Sequence, residues 1–261
     1  MTYTHAIVLG LVQGLTEFLP VSSSGHLILV PHFLGWPDQG LAFDAALHLG
    51  TLAALLAYFR TELIGLLTGA VSRSVIVVLA VATVPAVIVG LAFGKAIETG
   101  LRSPLLIAAS TAFWAGVMWI ADRRAVPPST HAEPLEQVGW RRGLAIGCAQ
   151  ALALIPGTSR SGITITTGLL SHLDRATAAR FAFLLGIPVT AGAGLLKTLE
   201  LVRTGLPAGG VGPLLVAILV SFVSGWIAVW FLIRYLRQRS LAPFVVYRLL
   251  LAALIVAVFV R

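Results

Sequence analysis

The stretch Gln13-Gly-Leu-Thr-Glu17-Phe-Leu-Pro-Val-Ser-Ser-Ser-Gly-His26 lies inside an apolar run, residues 6–34, and decides how the chain is read. A spanning helix needs about 20 continuous apolar residues. This run is broken at Pro20-Val-Ser-Ser-Ser-Gly25. Each half is about 12–14 residues long and, at about 1.5 Å per residue, reaches only about 20 Å. Neither half crosses a bilayer. The run reads as a re-entrant helix–loop–helix whose irregular backbone is buried in protein or lines a wet cavity. Residues 143–170 repeat the pattern, broken by Pro156-Gly-Thr-Ser-Arg-Ser-Gly162.

Composition agrees with a membrane setting. Of 261 residues, 58% are apolar and 11% charged, and the mean hydropathy is +0.96. A soluble domain carries roughly a quarter charged residues. This chain has too few charges to cover a wet surface and too much apolar surface to be disordered. The net charge of +8 is spread singly or in pairs between apolar stretches, so it marks loops rather than a nucleic-acid patch. The single Cys148 excludes an internal disulfide and a cysteine metal cluster. Met1–His5 has no basic region and does not read as a cleaved signal peptide.

Six further segments are long enough to span: roughly 43–59, 75–93, 104–121, 181–201, 213–233 and 243–260. The expected fold is therefore an all-α integral membrane protein with six transmembrane helices and two re-entrant segments. Placing loop 122–142 in the cytoplasm puts loops 60–74, 171–180 and 234–242 on the same side. Together they hold eleven arginines. The opposite side has five basic residues, Lys95, Arg102, Lys197, Arg203 and Arg261. The positive-inside rule favours that orientation, with both termini outward.

Sliding the chain by 137 residues lays 10–25 on 147–162, with six identities in 16 ungapped positions: Gly10, Gln13, Leu15, Ser22, Ser24 and Gly25. Each broken region is followed by three spans. Three is odd, so the second copy is inserted upside down, an inverted-topology repeat. The halves are 1–121 and 143–261, joined by the loop 122–142.

Polar residues in this setting carry the chemistry. Glu17 is the only charge between Met1 and Asp38. A carboxylate there must be paired, protonated or metal-bound. Gln13, four residues earlier on the same face, adds a second oxygen for part of a hard-cation site. The plainer reading is a neutral Glu17 bonded to a neighbouring helix. Ser22-Ser23-Ser24-Gly25-His26 suits a helix start whose backbone N–H groups and hydroxyls hold an anion. Its plainer reading is simple capping. Arg160 is the only charge between Arg142 and Asp174 and needs an anion, either Glu17 or a phosphate. Ser159, Ser161 and Thr164 surround it with donors. Asp44 and His48, four apart at the start of the first span, read as a helix-end or packing feature. Arg248, within the last span, reads as snorkelling or pairing internally. The Pro-rich stretch Ala125–Pro134 reads as the loop joining the halves.

These residues together resemble the bacterial undecaprenyl-pyrophosphate phosphatase family of the bacitracin-resistance type. Gln13–His26 fits its acidic-or-Gln, three-residue, Glu pattern and its Ser-rich loop ending in Gly-His. Pro156–Thr164 fits its Pro-Gly-x-Ser-Arg-Ser-x-x-Thr pattern, and the resemblance covers the whole chain. Gln13 departs from the glutamate of many members. It keeps an oxygen ligand but loses a charge. The resemblance implies hydrolysis of undecaprenyl pyrophosphate to the monophosphate, in a bacterial inner membrane with the site facing outward. It implies a polyprenyl pyrophosphate substrate and leaves room for a homodimer. Catalytic roles fall on Glu17, Ser23, His26 and Arg160. Phosphate binding falls on Ser22, Ser24, Gly25, Ser159, Ser161 and Thr164. A divalent cation, Mg²⁺ or else Ca²⁺, would lie on Gln13 and Glu17. Ser23 is the preferred nucleophile, with Ser22 or water as alternatives. His26 is the general base or acid, and Glu17 either orients it or holds metal. A transporter or flippase of a phosphorylated polyprenyl lipid is the competing reading, since inverted repeats with broken helices are a common transporter plan. A second lipid-phosphatase superfamily also uses Ser-Gly-His, but it needs a histidine after its Ser-Arg motif that this chain lacks.

Overall fold

The computed structural model describes residues 2–37, 41–101, 103–126, 134–204 and 210–259. All regular structure there is helical. The first half holds α1 (Tyr3–Phe18), α2 (Ser23–Leu34), α3 (Leu41–Tyr58), α4 (Arg60–Thr68), α5 (Arg73–Gly100) and α6 (Pro104–Arg123). A 3-10 turn over Leu135–Val138 leads into α7 (Gly139–Leu152) and α8 (Arg160–Leu170). Then come α9 (Arg175–Thr204), α10 (Val211–Leu236) and α11 (Ala242–Phe259).

Five helices are long and apolar enough to cross a membrane, and a sixth span results if α3 and α4 are taken as one bent pair. The chain is thus an all-α, multi-pass membrane protein. The first expected span differs from its outline. Residues 60–68, expected as loop, form α4, turned 65° from α3. The run Leu63-Ile-Gly-Leu-Leu67 keeps it helical until Gly69 ends it in the left-handed region. The loop expected over 171–180 is also shorter, because α9 begins at Arg175. Asp174 caps it, Oδ1 accepting from the N–H of Ala176 (2.9 Å) and Thr177 (3.0 Å). Of the five basic residues assigned to the far side, Arg102 and Arg261 lie outside the described residues, as do the side chains of Lys95, Lys197 and Arg203. Residues 127–133 of the Pro-rich stretch also lie outside them.

Both breaks fall where the sequence places them. Leu19 precedes Pro20 and takes an extended conformation, ending α1. At the second break Gly157 has φ 88°, and a Cβ there would stand 2.5 Å from the Ile107 carbonyl oxygen. No other residue fits.

α9 is the central helix. Phe181 to Leu185 are all buried, so this stretch is wrapped on every side. Phe183 meets Phe18 edge to face at 5.6 Å. By contrast α5, α10 and α11 present Ile88, Leu91, Leu219 and Leu250 outward, as lipid-facing helices do. α1 packs on α10 and α7 on α5. Both contacts are glycine-mediated. A Cβ on Gly10 would meet the Ala217 carbonyl at 2.6 Å, and one on Gly147 would collide with the Ala82 carbonyl. Small residues let helix backbones approach this closely without any hydrophobic drive between them.

Asp122 locks three helix ends. Its Oδ1 accepts from Arg175 Nε at 2.7 Å and its Oδ2 from the Leu241 N–H at 3.0 Å. The carboxylate is buried, so removing it leaves the largely covered Arg175 guanidinium and the Leu241 N–H without their acceptor, the guanidinium keeping only its bond to the Asp122 carbonyl at 2.8 Å. Asp122→Ala should cost about 3–5 kcal/mol. A lowered thermal midpoint in detergent, with turnover of the folded fraction unchanged, is the expected result.

Candidate active site

The two broken regions meet. Ser22 and Ser159 start α2 and α8, and both are non-glycine residues at positive φ, (75°, 98°) and (71°, 113°). Such backbone costs about 1–3 kcal/mol per residue and persists where the surroundings enforce it. Three hydrogen bonds join the loops. Ser24 Oγ accepts from the Gly157 N–H at 3.5 Å. Ser161 Oγ donates to the Leu19 carbonyl at 3.2 Å. Arg160 Nη2 donates to Glu17 Oε1 at 2.8 Å.

Glu17 is the hub. Its Oε2 accepts from Ser23 Oγ at 2.7 Å and from Gln13 Nε2 at 3.1 Å, and His48 Nε2 stands 3.5 Å away. Arg160 Nη1 donates to the Gly186 carbonyl at 2.8 Å and to Thr190 Oγ1. Gly186 is pressed against the guanidinium, 2.7 Å from where a Cβ would sit. The arginine is thus held at three points and keeps 17% of its side chain exposed. That exposed part faces a cavity of about 230 Å³. Glu17, Ser22, Ser23, Ser24, Ser159 and Arg160 line it, together with His48, Gln150 and Thr190. Ala86, Ala153, Leu154, Val189 and Ala193 supply its apolar side. The volume suits a small anionic headgroup.

Not every residue picked from sequence reaches the cavity. His26 lies behind the loop. Its Nδ1 donates to the Ser22 carbonyl at 2.7 Å. In the neutral ring, Nε2 then accepts from the Tyr247 hydroxyl at 2.6 Å. Both nitrogens are occupied, and neither touches Ser23. Ser161 and Thr164 are buried and spend their hydroxyls on backbone: Thr164 Oγ1 donates to the Arg160 carbonyl at 2.7 Å. Gly25 does not line the cavity either. Ser159 does, while its Oγ also accepts from the Gly162 N–H at 3.2 Å.

Four residues acquire roles that their sequence positions did not reveal. His48, read as a helix-end feature, stands beside Glu17. The Asp44 side chain lies outside the described residues. Gln150 had one signal, its alignment with Gln13. Its amide is buried in the cavity wall and neither polar atom has a protein partner. Tyr247 holds His26. Of its two readings, Arg248 does not snorkel but is bonded internally, to partners its position did not reveal. It is fully buried and bonded to backbone carbonyls of both loops.

Gln13 tests the expected cation. Its Oε1 is buried and unpartnered, next to the Glu17 carboxylate. Gln13 itself does not line the cavity and turns Nε2 to Glu17, so Glu17 alone places a hard oxygen there, and Gln13 Oε1 would join it only with the amide turned over. Mg²⁺ takes one or two protein ligands and fills its shell from phosphates and water. Among the described residues no cluster of three His, Cys, Asp or Glu forms a fuller protein site.

The sequence profile described as "Bacitracin resistance protein BacA" matches residues 6–254. The "Undecaprenyl-diphosphatase" of Moorella thermoacetica is 48% identical over 266 residues, covering 99% of this chain and 98% of that one. The "Undecaprenyl-diphosphatase 2" of Stutzerimonas stutzeri is 45% identical over 277 residues and 99% of each chain. The "Undecaprenyl-diphosphatase" of Gemmatimonas aurantiaca is 45% identical over 268 residues and 98% of each. With a profile match over most of its length and near-full-length relatives at this identity, the chain belongs to the BacA bacitracin-resistance family.

Proposed function

We propose that this membrane protein hydrolyses undecaprenyl pyrophosphate to undecaprenyl phosphate and inorganic phosphate. One observation carries the mechanism: Ser23, Glu17 and Arg160 form a continuous hydrogen-bonded chain on one cavity wall. Ser23 is the serine that donates to a carboxylate, whereas Ser22 and Ser24 share a bond with each other at 3.2 Å. Glu17 accepts the Ser23 proton as Oγ attacks the terminal phosphorus. As the bond to the bridging oxygen breaks, Glu17 passes that proton to the departing lipid monophosphate and is ionised again. Water then attacks the phosphoserine, its proton passing to Glu17 and from Glu17 to Ser23 Oγ as the phosphorus–Oγ bond breaks, and inorganic phosphate is released. Arg160 binds the phosphoryl oxygens and stabilises the charge they gain. His26 is assigned to loop architecture, because its nitrogens are already engaged. A carrier would need Arg160 and the serines but not a serine bonded to a carboxylate. Gln13 and Glu17 would hold a divalent cation, which would neutralise pyrophosphate charge when bound.

We read the fold as six spans and two re-entrant segments in an inverted repeat. Ser22 and Ser159 share one backbone conformation at aligned positions. α1 packs on α10 as α7 packs on α5, which is the exchange a two-fold relation requires. The arginine-rich loops face the cytoplasm of a bacterial inner membrane and the cavity faces outward.

The test is phosphate release from a polyprenyl pyrophosphate by detergent-purified protein, with Mg²⁺ or with chelator. Metal-dependent release that Ser23→Ala abolishes, with lipid binding retained, is the expected result. Binding without release from the wild type would favour the transporter. His48→Ala should lower kcat about tenfold, through loss of the imidazole nitrogen 3.5 Å from the Glu17 carboxylate. His48→Gln, which keeps a donor, should recover most of it. Unchanged kinetics in both would remove His48 from the site.

A further inference from the structure

Among the described residues Arg248 is the largest fully buried side chain, and no described carboxylate pairs with it. A buried cation without a counter-ion carries a large desolvation cost. Its partners are all carbonyl oxygens. Nε and Nη2 donate to Thr111 at 3.3 and 3.2 Å. Nη2 also donates to Gly157 at 2.9 Å and to Thr158 at 3.1 Å. Nη1 donates to Pro20 at 3.3 Å. One guanidinium therefore spans α6 and both loops. Arg248 does not line the cavity, whereas Ser22 and Ser159, just beyond its loop partners, do.

The direction of these bonds matters. In a trans peptide the N–H points opposite to the C=O, and no described peptide is cis. The Thr158 carbonyl points at Arg248, so the Ser159 N–H points away from it, and Ser159 lines the cavity whereas Arg248 does not. Some nearby amides are already spent: Thr158 N–H on the Ile155 carbonyl at 3.2 Å, Gly162 N–H on Ser159 Oγ, and Ile163 N–H on the Ser159 carbonyl at 2.9 Å, whereas those of Arg160 and Ser161, in the first turn of α8, have no intrahelical acceptor. The Ser159 amide, at the start of α8, has no intrahelical acceptor.

We propose that Arg248 is a positioning residue for phosphoryl transfer. It turns the Thr158–Ser159 peptide so that the Ser159 N–H meets a phosphoryl oxygen. It also fixes the spacing at which Ser23 and Arg160 share Glu17. It does not touch substrate. The inference rests on the phosphatase reading above. A lysine ammonium, three donors on one point, cannot span four carbonyl groups on three separate segments. Loss of one oxyanion donor costs about 10²–10³ in kcat.

The test compares wild type with Arg248→Lys and Arg248→Met, each checked for monodispersity and thermal midpoint. For folded Arg248→Lys, the expected result is kcat about 100-fold lower with KM within about threefold. If neither variant folds, the wild type decides. In ¹⁵N-serine-labelled protein, inorganic phosphate should shift the Ser159 amide resonance. Three results would overturn the proposal: folded Arg248→Lys with wild-type kcat, a lower midpoint with kcat of the folded fraction intact, or a Ser159 amide that ignores phosphate. A wild type that releases no phosphate from the lipid fails the phosphatase reading itself, which is a different result.

Discussion

Glu17→Gln should lower kcat about a thousandfold while leaving KM for the lipid unchanged or lower. The variant keeps the shape of the side chain and removes the base that takes the Ser23 proton across 2.7 Å. General bases of this kind contribute about 10²–10⁴. The second part of the expectation comes from Arg160. Its Nη2 is held by Glu17 Oε1, and a neutral glutamine releases the guanidinium to bind phosphate without a competing carboxylate. Inorganic phosphate should therefore inhibit the variant more strongly than the wild type. Steady-state phosphate release, with phosphate as product inhibitor, reads both. A kcat within tenfold of wild type would remove Glu17 from the proton-transfer step.

Arg160→Lys should be comparably severe, about 10³–10⁵ in kcat/KM, the range spanned by arginines that stabilise transferring phosphoryl groups. The reason lies in its geometry. Arg160 reaches the Glu17 carboxylate, the Gly186 carbonyl and Thr190 together through a planar fork. Lysine cannot present two parallel donors to a phosphoryl group while doing so. Combined with Glu17→Gln, the loss should be far smaller than the product of the two, because the residues act as one unit. A lysine variant with more than a tenth of wild-type kcat/KM would show that charge alone suffices.

Much of this site was legible in the chain because the membrane makes polar residues expensive. Glu17 and Arg160 stand out as lone charges in apolar runs, and the structure joins them at 2.8 Å. Pro20 and the Pro156-Gly157 pair mark the breaks because proline disfavours helix in the residue before it and left-handed glycine ends a helix, and here polar Ser-rich runs follow both, unlike Pro31, Pro85 and Pro188, which α2, α5 and α9 carry in their interiors. The hidden part depends on packing between distant segments. His48 looks like any helical histidine until α3 brings it beside Glu17. Tyr247 and Arg248 sit in the last span, 221 residues from His26 in the case of the tyrosine. A buried arginine and a snorkelling one are identical in sequence. Only the carbonyls around Arg248 tell them apart. The bend after Tyr58 was also hidden, because an apolar helix continuing at an angle carries the same pattern as a loop with apolar residues.

Ser22 and Ser159 bend the backbone alike, yet the next residue differs: Ser23 in one loop, Arg160 in the other. On the duplicated reading proposed for the fold, the cradle is older than the chemistry. An ancestral loop present twice would have brought two equivalent, weak anion sites to one cavity. Divergence at a single position after each serine gave one copy the nucleophile and the other the cation. Descent by this route makes the halves mutually dependent, so that neither could be shed and still leave an enzyme.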